Sequence, residues 1–513
     1  MTGTTGMARA PVAVVGLDAM DPTLARRLAD QGRMPTLAGL LEQAAWAPTR
    51  NPDGLVVGGI WPSFATGQWP GGHGFYCFRQ FVSGSYEIRR FTPHDIAPPA
   101  FWQVLSEQGR RCCVIDAPLT RPVATIGGVQ VVDWGTHDRM LEPQASDREL
   151  LARHGAHPVT GACDDYTQRG DEEGLVRDLA RGAARKTDLN LELLRREPWD
   201  LFLTVYGESH CAGHQFWGLH DRSWPGHDPA RRDRLGDPME ATYEALDAQL
   251  ARLLDAVDPQ ATLLVLLSHG IGPHYDGDHL FAEIVRRLDE ASGPASRVRR
   301  ASEHARRGLA RWQRARARRR HPDDPALVGR VSADGSRRFI PVPNNELYAA
   351  VRLNLARREP RGRIRPGPET EHWCDWLEAR LLELADADTG RPLVRRVLRV
   401  DDLFPGPRRD WLPDLLVDWH RDQPVTSAAS PVIGEVRGRY DGIRSGDHRP
   451  SGLVLVRRAG VAPGPRRQPI DIVDLAPTIA GWLGVSLPEA AGAPVEELLA
   501  PVAAAPSASG PQR

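Results

Sequence analysis

Three apolar runs that stop abruptly at polar chemistry constrain this chain more than any other feature. Val12-Ala13-Val14-Val15-Gly16-Leu17 ends in Asp18, Leu201-Phe202-Leu203-Thr204-Val205 leads into Glu208-Ser209-His210, and Thr262 to Leu267 ends in Ser268-His269-Gly270. Short runs this continuously hydrophobic read as strands buried on both faces, the pattern of a parallel sheet. Helical segments separate them. Asp21-Pro22 supplies an N-cap and a first-turn proline, and Glu172 to Arg196 and Met239 to Leu254 are amphipathic. The expected fold is therefore α/β, a doubly wound and mostly parallel sheet flanked by helices. In such sheets ligands bind beyond the carboxyl ends of the strands, so Asp18, the His210 segment and His269 are expected around one crevice.

Composition narrows the class. The chain has 513 residues, 26% charged and 41% hydrophobic, with a net charge of −1. That length exceeds the usual single core, which predicts one large domain with insertions or two domains. Nothing global points to nucleic acid or an acidic membrane. One segment, Arg297 to Arg320, is dense in arginine. It reads as a basic helical insertion near residues 291–325; a solvated lid is favoured over a nucleic-acid arm. The cysteines, Cys77, Cys112, Cys113, Cys163, Cys211 and Cys374, include no C-x-x-C pair, and a reducing cytoplasm is expected. No stretch approaches the ~18 apolar residues of a membrane span. Residues 1–10 are expected to be flexible and 500–513 disordered, leaving 11–499 as the folded domain.

His210 and His214 stand four apart and share one face of a helix, which is metal-ligand spacing. Core or surface histidines bonded to backbone are the alternative. Further strands are expected at Arg111 to Asp116, Leu347 to Leu353, Pro413 to Trp419 and Leu453 to Val456. Helices are expected near Phe101 to Gln108, Glu369 to Leu384 and Asp471 to Leu483. The glycine-rich residues 51–74 predict tight turns or close backbone approach, 214–237 a polar loop, and Ser445 to Pro450 a compact polar turn.

An ordered set of short segments resembles the alkaline phosphatase superfamily, in its type I phosphodiesterase/nucleotide pyrophosphatase branch. The carrying residues are Val15-Gly16-Leu17-Asp18, Trp61-Pro62-Ser63-Phe64-Ala65-Thr66-Gly67 with Pro70 and His73-Gly74, His214-Gln215-Phe216-Trp217, Ser268-His269-Gly270 and His448-Arg449-Pro450. Leu353-Asn354, Arg358-Glu359-Pro360 and Asp474-Leu475-Ala476-Pro477-Thr478-Ile479 complete it. The resemblance implies an alkaline-phosphatase-like fold and a two-metal site for phosphoryl transfer, with a Ser or Thr nucleophile. This sequence departs from that pattern at three positions. Val57 stands where the nucleophile is expected, nine residues before Thr66; His210 stands where a ligand Asp is expected, and Ser268 at the Asp of an Asp-His-Gly edge.

These departures set the expectation for the site. Two divalent cations side by side need several carboxylates, and only Asp18 remains at those positions, so the half-site of Asp18 and His269 is too poor to hold an ion alone. His210, His214 and His448 instead form a three-histidine set with one open position, an arrangement that lowers the pKa of bound water to about 7. One metal, zinc, is expected, with metal-bound water as the nucleophile on a phosphodiester or nucleotide-type small anionic metabolite. Asp18 and Glu208 are candidate general bases, Asp447 an orienting partner of His448, and Arg79 and Arg449 anion clamps. Ser63, Ser209 and Ser268 remain substitute nucleophiles. Direct transfer of a phosphoryl or sulfuryl-type group to a small acceptor, and an inactive ligand-binding homologue, are the rival readings.

Overall fold

Three of the expected strands lie side by side at the centre of the molecule, and their register builds the site. The structure is a computed structural model that describes residues 10–136, 139–159, 162–293, 327–330, 336–345 and 347–499. Most of the expected basic insertion, nearly all of the flexible start and the whole tail lie outside the described residues. Strand Val12–Leu17 pairs in parallel with Leu201–Tyr206 on one side and Thr262–Leu267 on the other. Leu17 lies opposite both Tyr206 and Leu267, so all three strands end at one level. Cys112–Ile115 and Gly128–Val132 extend the parallel set beyond Leu201–Tyr206.

Alternate side chains of the same strands enter two separate cores, which is why the runs read as continuously hydrophobic. Val15, Leu17, Phe202 and Val265 pack with Leu24 and Leu28, with Leu179 and Leu193 of helix Glu172–Arg196, and with Leu246 and Leu250 of helix Pro238–Leu254. Val14, Leu203, Leu264 and Leu266 face the other way, onto Ile60, Phe64, Phe101 and Ile479. The expected alkaline-phosphatase-like layering of helix, sheet and helix is thus the observed one. The far edge is antiparallel: Gly452–Arg457 pairs with Thr262–Leu267 and with Ala45–Arg50. The latter strand escapes sequence reading because Ala-Trp-Ala-Pro-Thr-Arg carries a proline and alternates in burial, and only the two-residue strands Gly464–Pro465 and Ile470–Asp471 pair on its other side.

Three further expectations change. Residues 51–74 contain helix Val56–Thr66 and the short turn Pro70–His73. Close backbone approach is nevertheless real: a Cβ on Gly58 would sit 2.1 Å from the Tyr76 carbonyl oxygen. The segment after His214 is not yet loop, because helix Glu208–His220 continues and buries Phe216 and Leu219. Ser445 to Pro450 contains strand Gly446–Arg449, paired antiparallel with Gly270–Pro273. A second lobe holds a four-stranded antiparallel sheet, Phe339–Val342, Tyr348–Leu353, Leu415–Trp419 and Val394–Arg399, covered by helices Asp278–Ala291 and Pro368–Leu382. No described helix is long and apolar enough to cross a membrane.

A buried ion pair ties the helical layer to the site edge. Lys186 Nζ lies 3.0 Å from Asp116 Oδ2 and donates to the carbonyls of Gly135 and Val205 at 3.0 and 2.8 Å. Asp116 in turn accepts the N–H groups of Trp134 and Gly135. Both side chains are fully buried, so losing one partner strands the other charge. Lys186→Met is expected to lower unfolding free energy by about 3–5 kcal/mol in urea titrations, and adding Asp116→Asn to restore part of it.

Candidate metal centre

Four histidines meet where the central strands end. His210 and His214 lie on helix Glu208–His220, His269 follows strand Thr262–Leu267, and His448 is carried in by strand Gly446–Arg449, where it pairs with Ile271. Their rings are neighbours, with centroids 4.7 to 5.7 Å apart around His210. His269 also lies 4.8 Å from His448. The sequence assigned His269 to a separate half-site; the structure places it in one cluster with His210 and His448.

The outward nitrogens of His210 and His214 are anchored by hydrogen bonds. His210 Nδ1 is 2.7 Å from Asp18 Oδ2, and His214 Nδ1 is 2.8 Å from the Gly446 carbonyl oxygen. Both partners only accept, so both Nδ1 atoms donate. His448 Nδ1 lies 3.0 Å from Asp447 Oδ1 but outside hydrogen-bond geometry, so the carboxylate faces the ring as a neighbouring charge. The tautomers of His210 and His214 then direct a lone pair from Nε2 inward. His210 Nε2 stands 3.0 Å from His214 Nε2 and 2.7 Å from His448 Nε2. Lone pairs facing at such distances repel unless a cation sits among them. A proton bridges one pair; a metal ion serves all three. Donors of this kind with anchored second nitrogens fit a divalent transition metal such as zinc. Burial pushes His448 down to about 4 against the pull of Asp447, so its ring is neutral and ligating near pH 7.

Asp18 is occupied on every side. Oδ1 accepts from Trp61 Nε1 at 2.7 Å and from Ser268 Oγ at 3.0 Å, while Oδ2 takes His210. Burial raises its carboxyl, but His210, with His269 and Trp61, outweighs burial and holds it far below the ordinary range. Such a carboxylate is a poor general base, and its geometry is that of a support for His210. Trp61 was not singled out by sequence, although it lies in the quoted Trp-Pro-Ser segment.

The other expected catalytic groups are not brought to the histidines. Glu208 is buried with its Oε1 3.4 Å from His157 Nε2, facing Gly182 of the helical layer. Burial raises its carboxyl, but His157 and Lys186 hold it below its ordinary value. Arg79 is exposed and its guanidinium lies over the Phe78 ring. Arg449 donates to the carbonyls of His448 and Pro273 at 2.7 and 2.5 Å, and burial lowers it to about 10. The serines are engaged too. Ser209 Oγ donates to the Asp18 carbonyl at 2.6 Å. Ser268 Oγ donates to Asp18, accepts from Ala19 N–H at 3.1 Å and meets His269 Nδ1 at 2.9 Å. Ser63 Oγ is 3.1 Å from His73 Nε2. His73 Nδ1 already accepts the Phe75 N–H, so Nε2 carries the proton and cannot take one from Ser63. Val57 occupies the second residue of helix Val56–Thr66.

Architecture and family profile together define a hydrolase of the phosphodiesterase / pyrophosphatase class, and the clustered histidines are candidate ligands for a divalent metal. The chain belongs to the type I phosphodiesterase / nucleotide pyrophosphatase family, whose profile matches residues 12–358. Among solved structures it is similar to phosphonoacetate hydrolase from Sinorhizobium meliloti 1021 in complex with phosphonoacetate, at 16% identity and a TM-score of 0.52, covering 93% of this chain and 95% of that one. Murine ectonucleotide pyrophosphatase / phosphodiesterase 5 is similar at 11% identity and a TM-score of 0.48, over 93% of this chain and 96% of that one. The alkaline phosphatase PafA is similar at 14% identity and a TM-score of 0.48, over 97% and 100%. No curated protein sequence matches the chain.

Asp18→Asn keeps the shape of the side chain but removes the charge that fixes His210. It is expected to weaken the binding of an added divalent metal by about 10- to 100-fold in competition with a chromophoric chelator, with the fold retained.

Proposed function

We propose that this enzyme hydrolyses phosphodiesters of small metabolites, nucleotide-type esters among them, around one zinc ion held by His210, His214 and His448. The convergence of three imidazoles on one point, two of them anchored through Nδ1, carries the reading. When bound, the cation supplies Lewis acidity toward a phosphoryl oxygen and acidifies coordinated water. Asp18 balances its charge from one hydrogen bond away, by way of His210, and Asp447 adds a second negative charge 3.0 Å from the His448 ring.

Water, not a protein hydroxyl, is the attacking group in this reading. Val57 offers no oxygen, and the hydroxyls of Ser209 and Ser268 are spent on Asp18. His269 is the side chain we assign to proton transfer. Its Nδ1 donates to Ser268 Oγ, which donates on to Asp18. That leaves Nε2 facing the cluster, where it takes a proton from the attacking water and returns it to the leaving oxygen. His214 is preferred to His269 as the third ligand because its Nε2 stands 3.0 Å from that of His210 and its Nδ1 is locked on a carbonyl. The buried cysteines, none of them in a disulfide among the described residues, support a cytoplasmic location.

His214→Ala is expected to lose the zinc ion and all activity on a chromogenic phosphodiester. His269→Ala is expected to keep the ion while kcat falls by about 10²- to 10⁴-fold. Metal loss in the second variant with retention in the first would reverse the assignment.

A further inference from the structure

A second buried cluster of ligating groups adjoins the histidine centre. His274, Asp276 and Asp447 are each less than a tenth exposed. One ligand atom from each lies within 4.8 Å of the others. Topology brings them together. Gly272 pairs with Asp447 across the two short strands, and the His274 N–H donates to the Ser445 carbonyl at 3.0 Å. Asp276 follows two residues later, just before helix Asp278–Ala291.

The two carboxylates divide their oxygens in the same way. Asp447 Oδ1 accepts the His448 N–H at 2.7 Å, and Asp276 Oδ1 accepts the Asp278 N–H at 2.9 Å. The remaining oxygen of each, Oδ2, is buried and accepts no hydrogen bond. Asp276 Oδ2 approaches His274 Nε2 at 2.7 Å, but outside hydrogen-bond geometry. Two buried carboxylate oxygens without donors are costly, and as like charges they repel each other. Arg449, a cation close enough to both to feel them, directs its Nη1 and Nη2 at backbone carbonyls. A protonated His274 would answer Asp276 and leave Asp447 Oδ2 bare.

We propose that His274, Asp276 and Asp447 bind a second divalent cation, separate from the zinc of the histidine centre. One imidazole and two carboxylates form a donor set suited to Mn²⁺ or Zn²⁺. The cation goes beyond the phosphodiesterase reading and does not depend on it. It would fix Asp447, and through Asp447 the ring of His448, so its role is positioning.

The test is elemental analysis of full-length protein, stripped with chelator, reloaded with zinc or Mn²⁺ and freed of excess ion. Wild type is expected to hold two ions per chain, and Asp276→Asn and His274→Gln one each. Both variants are needed because Asp276→Asn is nearly isosteric and His274→Gln removes the other side of the cluster. Loss of one ion in both supports the second site, whatever His210→Ala does. Should His210→Ala keep both ions while Asp276→Asn loses one, the second site stands and the histidine centre falls. Metal content equal to wild type in both Asp276→Asn and His274→Gln would overturn the proposal.

Discussion

The 2.7 Å contact between Asp18 and His210 holds the centre together. Asp18 sits at the end of a strand whose neighbours on both sides end at the same level, so its backbone position is fixed by the sheet. Its side chain is fixed by Trp61, Ser268 and His210. A buried carboxylate with this many donors stays ionised, and an ionised carboxylate sets the tautomer of the imidazole it faces. His210 must then point Nε2 at His214 and His448. The remaining contacts of the centre follow from that choice.

This arrangement also explains how the departures from the family pattern fit one another. A histidine at position 210 is longer than an aspartate and reaches Asp18 through Nδ1, while Nε2 still reaches the ligands. A serine at position 268 is shorter than an aspartate and neutral. It completes Asp18 on one side and meets His269 on the other. Around Asp18 the two side chains form a hydrogen-bonded brace.

Much of this was legible in the sequence, because burial on both faces leaves a clear mark. Helix Glu172–Arg196 and strand Thr262–Leu267 were read at their observed bounds, and His210, His214 and His448 were read as one set. What failed was what local pattern does not encode. Glu208 lies two residues from His210, but the helix turns it toward His157 instead. Arg449 follows His448, but in a strand neighbouring side chains take opposite faces. His274 and Asp276 meet Asp447 only because two short strands pair across 170-odd residues. Val56–Thr66 was hidden by glycines that serve close packing rather than turns.

The proposed reaction runs through clustered imidazoles without a protein nucleophile. Hydrolysis of a P-chiral phosphorothioate diester in heavy-oxygen water tests it most directly. Direct attack by water predicts inversion at phosphorus, with the label in the released product after a single turnover. Retention of configuration would mean a covalent intermediate on a protein side chain, and would contradict the account.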